Sequence, residues 1–368
     1  MPAETSLRFS KPNRIFGWPT LPSMLTLRFA FEDIRLRGLE LQTSSGWRRQ
    51  TTVVELRGQG CIGSGEDVTY SGEEQSAFQQ AGAPPIPAGE YTLESFAAAL
   101  DALSPQQWFA TSPEQEASYH YRRWAFESAA LDLALKQNQL RFEDWLRKEA
   151  RPLHFAYSTG LGTPPSVDKL RAAREKLPAL AFKIDYDSTW TEELVKELAD
   201  LGGIGVVDFK GHYHGSFSGP PPNPEHYAMV ARLLPGAWLE DPAWTPECAR
   251  ALQPYRDRVT WDAPLHLMRD LEQLPYLPKC INVKPSRFAT VGRLLRVLQW
   301  AQENGVQMYG GGQFELGPGR RQIQHLASVV YPDASNDVAP AEFHQDHWPE
   351  NIQSSPLPAF SGITGFGG

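Results

Sequence analysis

Five short apolar runs in the second half of the chain each end at an ionisable side chain. They are Leu180-Ala181-Phe182-Lys183, Val206-Val207-Asp208, Trp238-Leu239-Glu240, Val259-Thr260-Trp261-Asp262 and Ile281-Asn282-Val283-Lys284. They recur roughly every 20 to 35 residues with helix-like segments between most of them, which is the rhythm of a (β/α) barrel. Such a barrel carries its active site at the C-terminal ends of its strands. Three acids and two lysines would then converge on one rim, as a divalent-metal site flanked by bases.

The remaining chain divides by the same patterning. Residues 1–24 are Pro-rich and irregular and read as an N-terminal arm. Alternation of Leu25, Leu27, Phe29 and Phe31 predicts a strand over 25–41. A loop from Thr43 to Arg49 leads to a second strand at 51–56, and residues 58–66 form a turn into a third. Helices are expected near 93–103 and 114–137, so that 25–150 is an α+β capping domain. The barrel alternation begins near Leu153 and defines a domain over 151–340. The Pro220 to Pro224 stretch is a loop on the barrel rather than a linker, because strand-like runs continue beyond it. Periodicity fades after about residue 330, and the Gly-rich stretch from Gly362 reads as a tail.

Composition narrows the class without changing this picture. The chain has 368 residues, of which 41% are hydrophobic, enough for a sizeable core and two domains. A formal net charge of −8 argues against nonspecific nucleic-acid binding. Cys61, Cys248 and Cys280 are far apart and odd in number, so no disulfide framework is expected, and a reducing cytoplasm is the default location. No apolar run is long enough to span a membrane, and no secretory signal precedes the first strand.

Taken in order, the motifs resemble those of the enolase superfamily, nearest its mandelate racemase and muconate-lactonizing branches. A G-x-G-E turn lies at Gly63 to Glu66, followed by E-x-A-A-L-D-L-A from Glu127 to Ala134. The barrel then shows F-K-x-(K) at Phe182 to Asp185, V-D-x-(N) at Val207 to Lys210, and E-D-P at Glu240 to Pro242. Asp262 comes next, then I-N-x-K-P-S-R at Ile281 to Arg287, and G-G-x-F-E at Gly311 to Glu315. The resemblance covers nearly the whole chain. It implies an α/β fold: a modified (β/α)7β TIM-type barrel with an N-terminal α+β capping domain and a segment, 341–368, returning toward the cap. It also implies Mg2+ in the barrel mouth, with Mn2+ as the alternative.

The residue chemistry supports the metal independently of the resemblance. Mg2+ is a hard cation held by a few carboxylates with waters and substrate oxygens. Asp208, Glu240 and Asp262 are short acids fixed at three consecutive strand ends. Their role would be to hold a metal that binds a substrate carboxylate and stabilises the enediolate left when an α-proton departs.

For the bases, two positions depart from the family pattern. Residues i and i+2 of a strand share a face, so Lys183 and Asp185 both project into the barrel. The family usually has a lysine base where this chain has Asp185. Lys284 matches the opposite base, and Lys183 matches the lysine that serves the substrate carboxylate and oxyanion. Lys210 stands where asparagine is usual. It can hold substrate oxygen, pair with Asp185, partly replace the metal's charge, or neutralise crowded acids. His212 and His214 continue its i, i+2 series but lie past the expected strand end, and His266 and His325 read as barrel-wall or helix residues. The glycines at 310–312 and 317–319 precede a helix whose N–H groups offer an anion site. Trp47, Arg48 and Arg49 belong to the cap segment that closes over substrate, and suit an anionic or aromatic ligand.

The expected activity is therefore a Mg-dependent lyase or isomerase abstracting the α-proton of a small-molecule carboxylate. With Asp185 replacing one lysine, elimination or cycloisomerisation by one base is favoured. Two alternatives stand beside it: a racemase or epimerase of a carboxylate such as an amino-acid derivative, and a carboxylate-binding scaffold that has lost catalysis. No nucleic-acid or membrane partner is expected, and a homo-oligomer is compatible with the sequence.

Overall fold

The computed structural model describes residues 20–43, 46–213, 218–345 and 347–368. Most of the segment read as an N-terminal arm, and His214, lie outside these. Within the described residues the cap is built from β1 (Arg28–Phe31), β2 (Asp33–Gln42), β3 (Arg48–Gly58), β4 (Cys61–Asp67) and β5 (Gly89–Thr92). Strands β2, β3 and β4 form an antiparallel sheet, while β1 pairs with β5. The single strand expected over 25–41 is thus a helix end followed by two strands that break at Glu32. Phe29 and Phe31 of β1 bury against Phe96, with ring centroids 5.4 and 6.0 Å apart, whereas β2 faces largely outward. Alternation survives the break, so a period of two cannot reveal that the pairing partner changes.

The G-x-G-E turn has a packing cause. Helix Ala117–Gln137 lies directly on β4. A Cβ on Gly63 would sit 2.2 Å from the Ala129 carbonyl oxygen, and one on Gly65 would sit 2.0 Å from that of Ala125. Glycine on the strand and alanine on the helix let the two backbones meet. Buried large side chains of the helix and of neighbouring β3, such as Phe126 and Leu56, each contribute roughly 1.5–3 kcal/mol of burial.

Glu66 completes the motif by crossing to the barrel. Its carboxylate accepts from the N–H groups of Leu316 (2.6 Å), Gly317 (2.9 Å) and Gly319 (3.0 Å), at the start of helix Pro318–Val330. A helix N-terminus carries unpaired donors and partial positive charge. Here a cap carboxylate satisfies it, so the anion site expected at glycines 317–319 is taken by the protein itself.

The barrel strands are β6 (Ala156–Thr159), β7 (Ala181–Asp185), β8 (Ile204–Asp208), β9 (Trp238–Glu240), β10 (Val259–Trp261), β11 (Cys280–Val283) and β12 (Gln307–Gly310). They are parallel and neighbour one another in chain order. Phe182, Ile184, Val206, Val207 and Ile281 are fully buried. The ring closes through two residues: Asn336 bridges to Phe155 beside β6, and Asp337 bridges to Gly311 beyond β12. The Asn336 side chain takes the Gly310 N–H at 2.6 Å and donates to the carbonyls of His154, Tyr331 and Ala334. So short a closing segment has no period to detect. The stretch from Gly362 does not trail away as a tail. Phe366 packs on Phe142 at 4.4 Å, and its N–H meets Asp132.

Candidate active site

The ladder register sets Asp185 beside Asp208 and Asp208 beside Glu240. Three like charges on adjacent strands repel unless cations lie between them. Lys183 supplies one: its buried ammonium contacts Glu240 and lies 3.3 Å from Asp337 and 3.9 Å from Asp208. Burial opposes its charge, but Glu240, Asp337 and Asp208 outweigh that and hold its pKa well above the ordinary lysine value. Lys210 supplies the other. Just past β8 the chain turns back with φ of 53° at Lys210, whose N–H meets Asp208 Oδ1 at 2.9 Å. Its Nζ then reaches Asp185 at 3.0 Å and Asp208 at 3.1 Å. Against burial, these two acids raise its pKa strongly.

Glu240 also accepts from the Tyr309 hydroxyl and from Asn282 Nδ2 at 3.2 Å. Burial, with Asp208 and Asp262 nearby, pushes its carboxyl up to about 7 despite Lys183. Asp241 is fully buried, and both its oxygens accept backbone N–H groups, from Asp262 (2.8 Å) and Ala263 (2.7 Å). Burial and the same neighbouring acids push it upward too. One oxygen each from Asp208, Glu240 and Asp241 lie within 4.8 Å of one another.

Asp262 has different company. Lys284 Nζ lies 2.8 Å from it, Arg287 Nη1 3.0 Å, and the Tyr213 hydroxyl 3.2 Å. Although buried, its carboxyl is held far below the usual range by Arg287 and Lys284. The structure thus gathers Asp208 and Glu240 with Asp241, and gives Asp262 to cations. Hard oxygen donors on rigid strand ends, with the Glu240 and Asp241 carboxyls driven upward by burial and neighbouring acids while Lys210 and Lys183 hold Asp208 down, fit a divalent cation such as Mg2+. Asn282 Oδ1, buried beside them, has no hydrogen-bond partner among the described residues.

Above this floor lies a cavity of about 570 Å3 between barrel mouth and cap. Lys183, Lys210, Lys284, Arg287 and Arg320 line it, against the carboxylates of Asp185, Asp208 and Asp337, so its wall favours an anion. Lys183 on the second barrel strand and Lys284 after the sixth stand four strands apart in a ring of eight positions, on opposite sides of the mouth.

Several residues at the site carried no assigned role in the sequence. Asp241 and Arg287 lay inside recognised motifs. Asp337, Tyr213 and Tyr309 had no signal, since each depends on a contact between distant strands. His266 lines the cavity rather than a barrel wall. His212 lines it too, with its ring 5.3 Å from Trp261 and Nε2 3.1 Å from the Pro242 carbonyl oxygen. His325 is a buried helix residue bonded to Glu143. Of Trp47, Arg48 and Arg49, Trp47 alone reaches the cavity. Arg48 turns outward to Glu40, and Arg49 is buried behind the wall.

Family models described as the N-terminal and C-terminal domains of a domain of unknown function (DUF8230) match residues 23–145 and 149–345. The N-succinylamino acid racemase of Thermus thermophilus is 34% identical over 366 residues, covering 90% of this chain and 91% of the relative. The solved dipeptide epimerase from Methylococcus capsulatus, complexed with Mg ion, has a TM-score of 0.65 at 18% identity, covering 86% of this chain and 92% of its own. An enolase superfamily member from Listeria innocua has a TM-score of 0.60 at 16% identity, covering 85% and 86%. At these identities the two solved structures speak for the fold, and the racemase carries the kinship through the sequence itself. Cap, barrel, acid-lined mouth and near end-to-end relatedness agree: the chain is an enzyme of the enolase superfamily.

Proposed function

We propose that this enzyme abstracts the α-proton of an N-acylated amino acid or similar carboxylate and returns a proton on the other face, as a racemase or epimerase. The observation that carries this reading is the opposition of cationic side chains across the mouth, Lys284 on one side and Lys183 with Lys210 on the other. The name of the 34% identical relative supports it.

Lys284 is the base in this reading, aimed by its 2.8 Å contact with Asp262. Lys183 is encased by three carboxylates and neutralises charge where a substrate carboxylate enters. Lys210 is the nearer proton donor for the second face, in place of the lysine that Asp185 displaces. Mg2+, when bound, would stabilise the negative charge that develops on the substrate carboxylate. Asp208, Glu240 and Asp262 would hold it. Asp241 is within range, but each of its oxygens already receives a backbone N–H, so it serves as the brace that aims Asp262. Asp262 Oδ1 has no well-aligned donor, in keeping with a ligand role.

One observation favours the one-base outcome instead. Asp185 and Asp208 both stabilise the charged form of Lys210, which suits a donor and hinders a second base. Deuterium incorporation by NMR separates the readings. Exchange with loss of optical activity on an N-acylated amino acid supports the racemase, and exchange with retained configuration supports one-base chemistry. Lys284→Ala should lower exchange by roughly 10²–10⁴-fold, the usual range for a general base. No exchange on any carboxylate, with Mg2+ supplied, leaves a binding scaffold.

A further inference from the structure

The cap side of the cavity is aromatic. Trp47 stacks on Tyr70 with centroids 5.7 Å apart and planes 12° from parallel. Phe314 stands edge-on to Trp47 at 5.6 Å and 88°, and His344 lies 4.8 Å from Phe314. All four line the cavity. His344 presents a neutral ring, because Arg320 Nη2 donates to its Nε2 at 3.0 Å.

Phe314 is the unusual member. It is 39% exposed while standing over the cavity, and its φ is 56°. A bulky side chain in the left-handed region is strained, and such strain persists only where the surroundings enforce it. Here Arg49 enforces it. Its guanidinium accepts no contact with solvent and donates to the carbonyls of Phe314 (3.2 Å), Gln313 (2.8 Å), Thr69 (2.8 Å) and Val68 (2.7 Å). The same guanidinium lies 5.3 Å from the Trp47 ring and 4.8 Å from the Tyr70 ring. One buried arginine therefore fixes the backbone that displays Phe314 and also backs the Trp47–Tyr70 stack. A ring held in a costly conformation and left 39% exposed at the cavity wall is poorly explained by core packing, which would bury it.

We propose that this wall is a subsite for an aromatic ring of the substrate. A ring carried by the substrate would lie against Phe314 and Trp47 while the carboxylate meets the cations of the barrel mouth. The proposal rests on the α-proton reading for the identity of the reacting end, and adds the chemistry of the other end. The ring can belong to the amino-acid side chain or to the acyl group.

Binding measured by calorimetry on the Mg2+-loaded enzyme tests the subsite apart from the chemistry. N-acetylphenylalanine places a ring on the side chain, N-benzoylalanine places it on the acyl group, and N-acetylalanine has none. At least one ring-bearing ligand should bind ten-fold or more tighter than N-acetylalanine, and which one does so locates the ring. Phe314→Gly removes the ring and suits the positive φ, so it should keep or raise the Tm while that preference collapses toward one. Trp47→Ala should reduce the preference in the same direction. Equal affinities for all three ligands in the wild type, or a preference untouched by Phe314→Gly, overturn the subsite. Ring-dependent binding without deuterium exchange upholds the subsite and sinks the α-proton reading. Exchange without ring preference does the reverse.

Discussion

Lys210 is the side chain that most distinguishes this mouth. It brings a positive charge to within 3.1 Å of Asp208, where the superfamily pattern has a neutral amide. A divalent cation on Asp208 would meet this charge at close range, and like charges a few ångströms apart weaken binding even with substantial screening. Lys210→Asn should therefore raise Mg2+ affinity roughly ten-fold by calorimetry, while lowering proton delivery to the second face. An unchanged affinity would show that Lys210 swings clear when the metal enters. His266 makes a separate prediction. Burial, then Arg287 and His120, lower its pKa to about 4. Above about pH 6.5 the ring is neutral in folded and unfolded chains alike; below that the unfolded chain takes up the proton first. Its contribution is intact above 6.5 and lost as pH falls toward 4. Thermal melts of His266→Gln should show a shallower fall in Tm across that window than the wild type, with the two curves parallel above pH 7.

These residues also show what the sequence could carry. Lys183, Asp208, Glu240, Asp262 and Lys284 were legible because each ends an apolar run, and a strand end fixes where a side chain points. Asp337 was not, since it sits in a two-residue closing segment that has no pattern of its own. The cluster that includes Asp241 was hidden for another reason. That Asp241 joins Glu240 near Asp208 depends on the backbone at Asp241, whose φ is 49°, and spacing does not encode that.

At the scale of elements, two cap side chains tie the cap to the barrel loop 313–319. Glu66 caps helix Pro318–Val330, and Arg49 gathers carbonyls from both sides of the seam. A sequence reading gives Arg49 to the ligand because it lies in a loop that faces one, yet a guanidinium has five donors and the fold uses them on its own backbone. Arg49→Met retains much of the bulk but strands three buried carbonyls and a fourth, that of Phe314, which is part-buried. Each unsatisfied group costs about 1–3 kcal/mol, so a loss on the order of 3 kcal/mol or more is expected in urea melts. Arg49→Lys should recover little, because one ammonium cannot span four acceptors. A variant as stable as the wild type would show that water replaces the guanidinium.

For the molecule as a whole, the metal reading is also a statement about stability. A ligand that binds only the folded state stabilises it by mass action, by about 2.7 kcal/mol at a hundred-fold excess over Kd. Added Mg2+ should raise Tm, EDTA should reverse the rise, and Glu240→Gln should remove it. Asp241→Asn, by contrast, should lower Tm with or without Mg2+, since it loosens the end of β10 that Asp241 braces. Absence of any Mg2+ effect at millimolar concentration would overturn the ligand assignment.

The closing segment of the ring has a consequence for the order in which the molecule becomes competent. Asn336 and Asp337 emerge from the ribosome after all seven barrel strands and after every other lysine, arginine and acid that lines the mouth. Asn336 fastens the first strand region to the last, and Asp337 contributes a counter-charge to Lys183. A nascent chain that has folded its first seven strands would therefore own most of the chemistry but an open wall and an unbalanced lysine. Competence then arrives in one late step, and a partly made enzyme has little chance to hold metal or substrate in a half-built mouth.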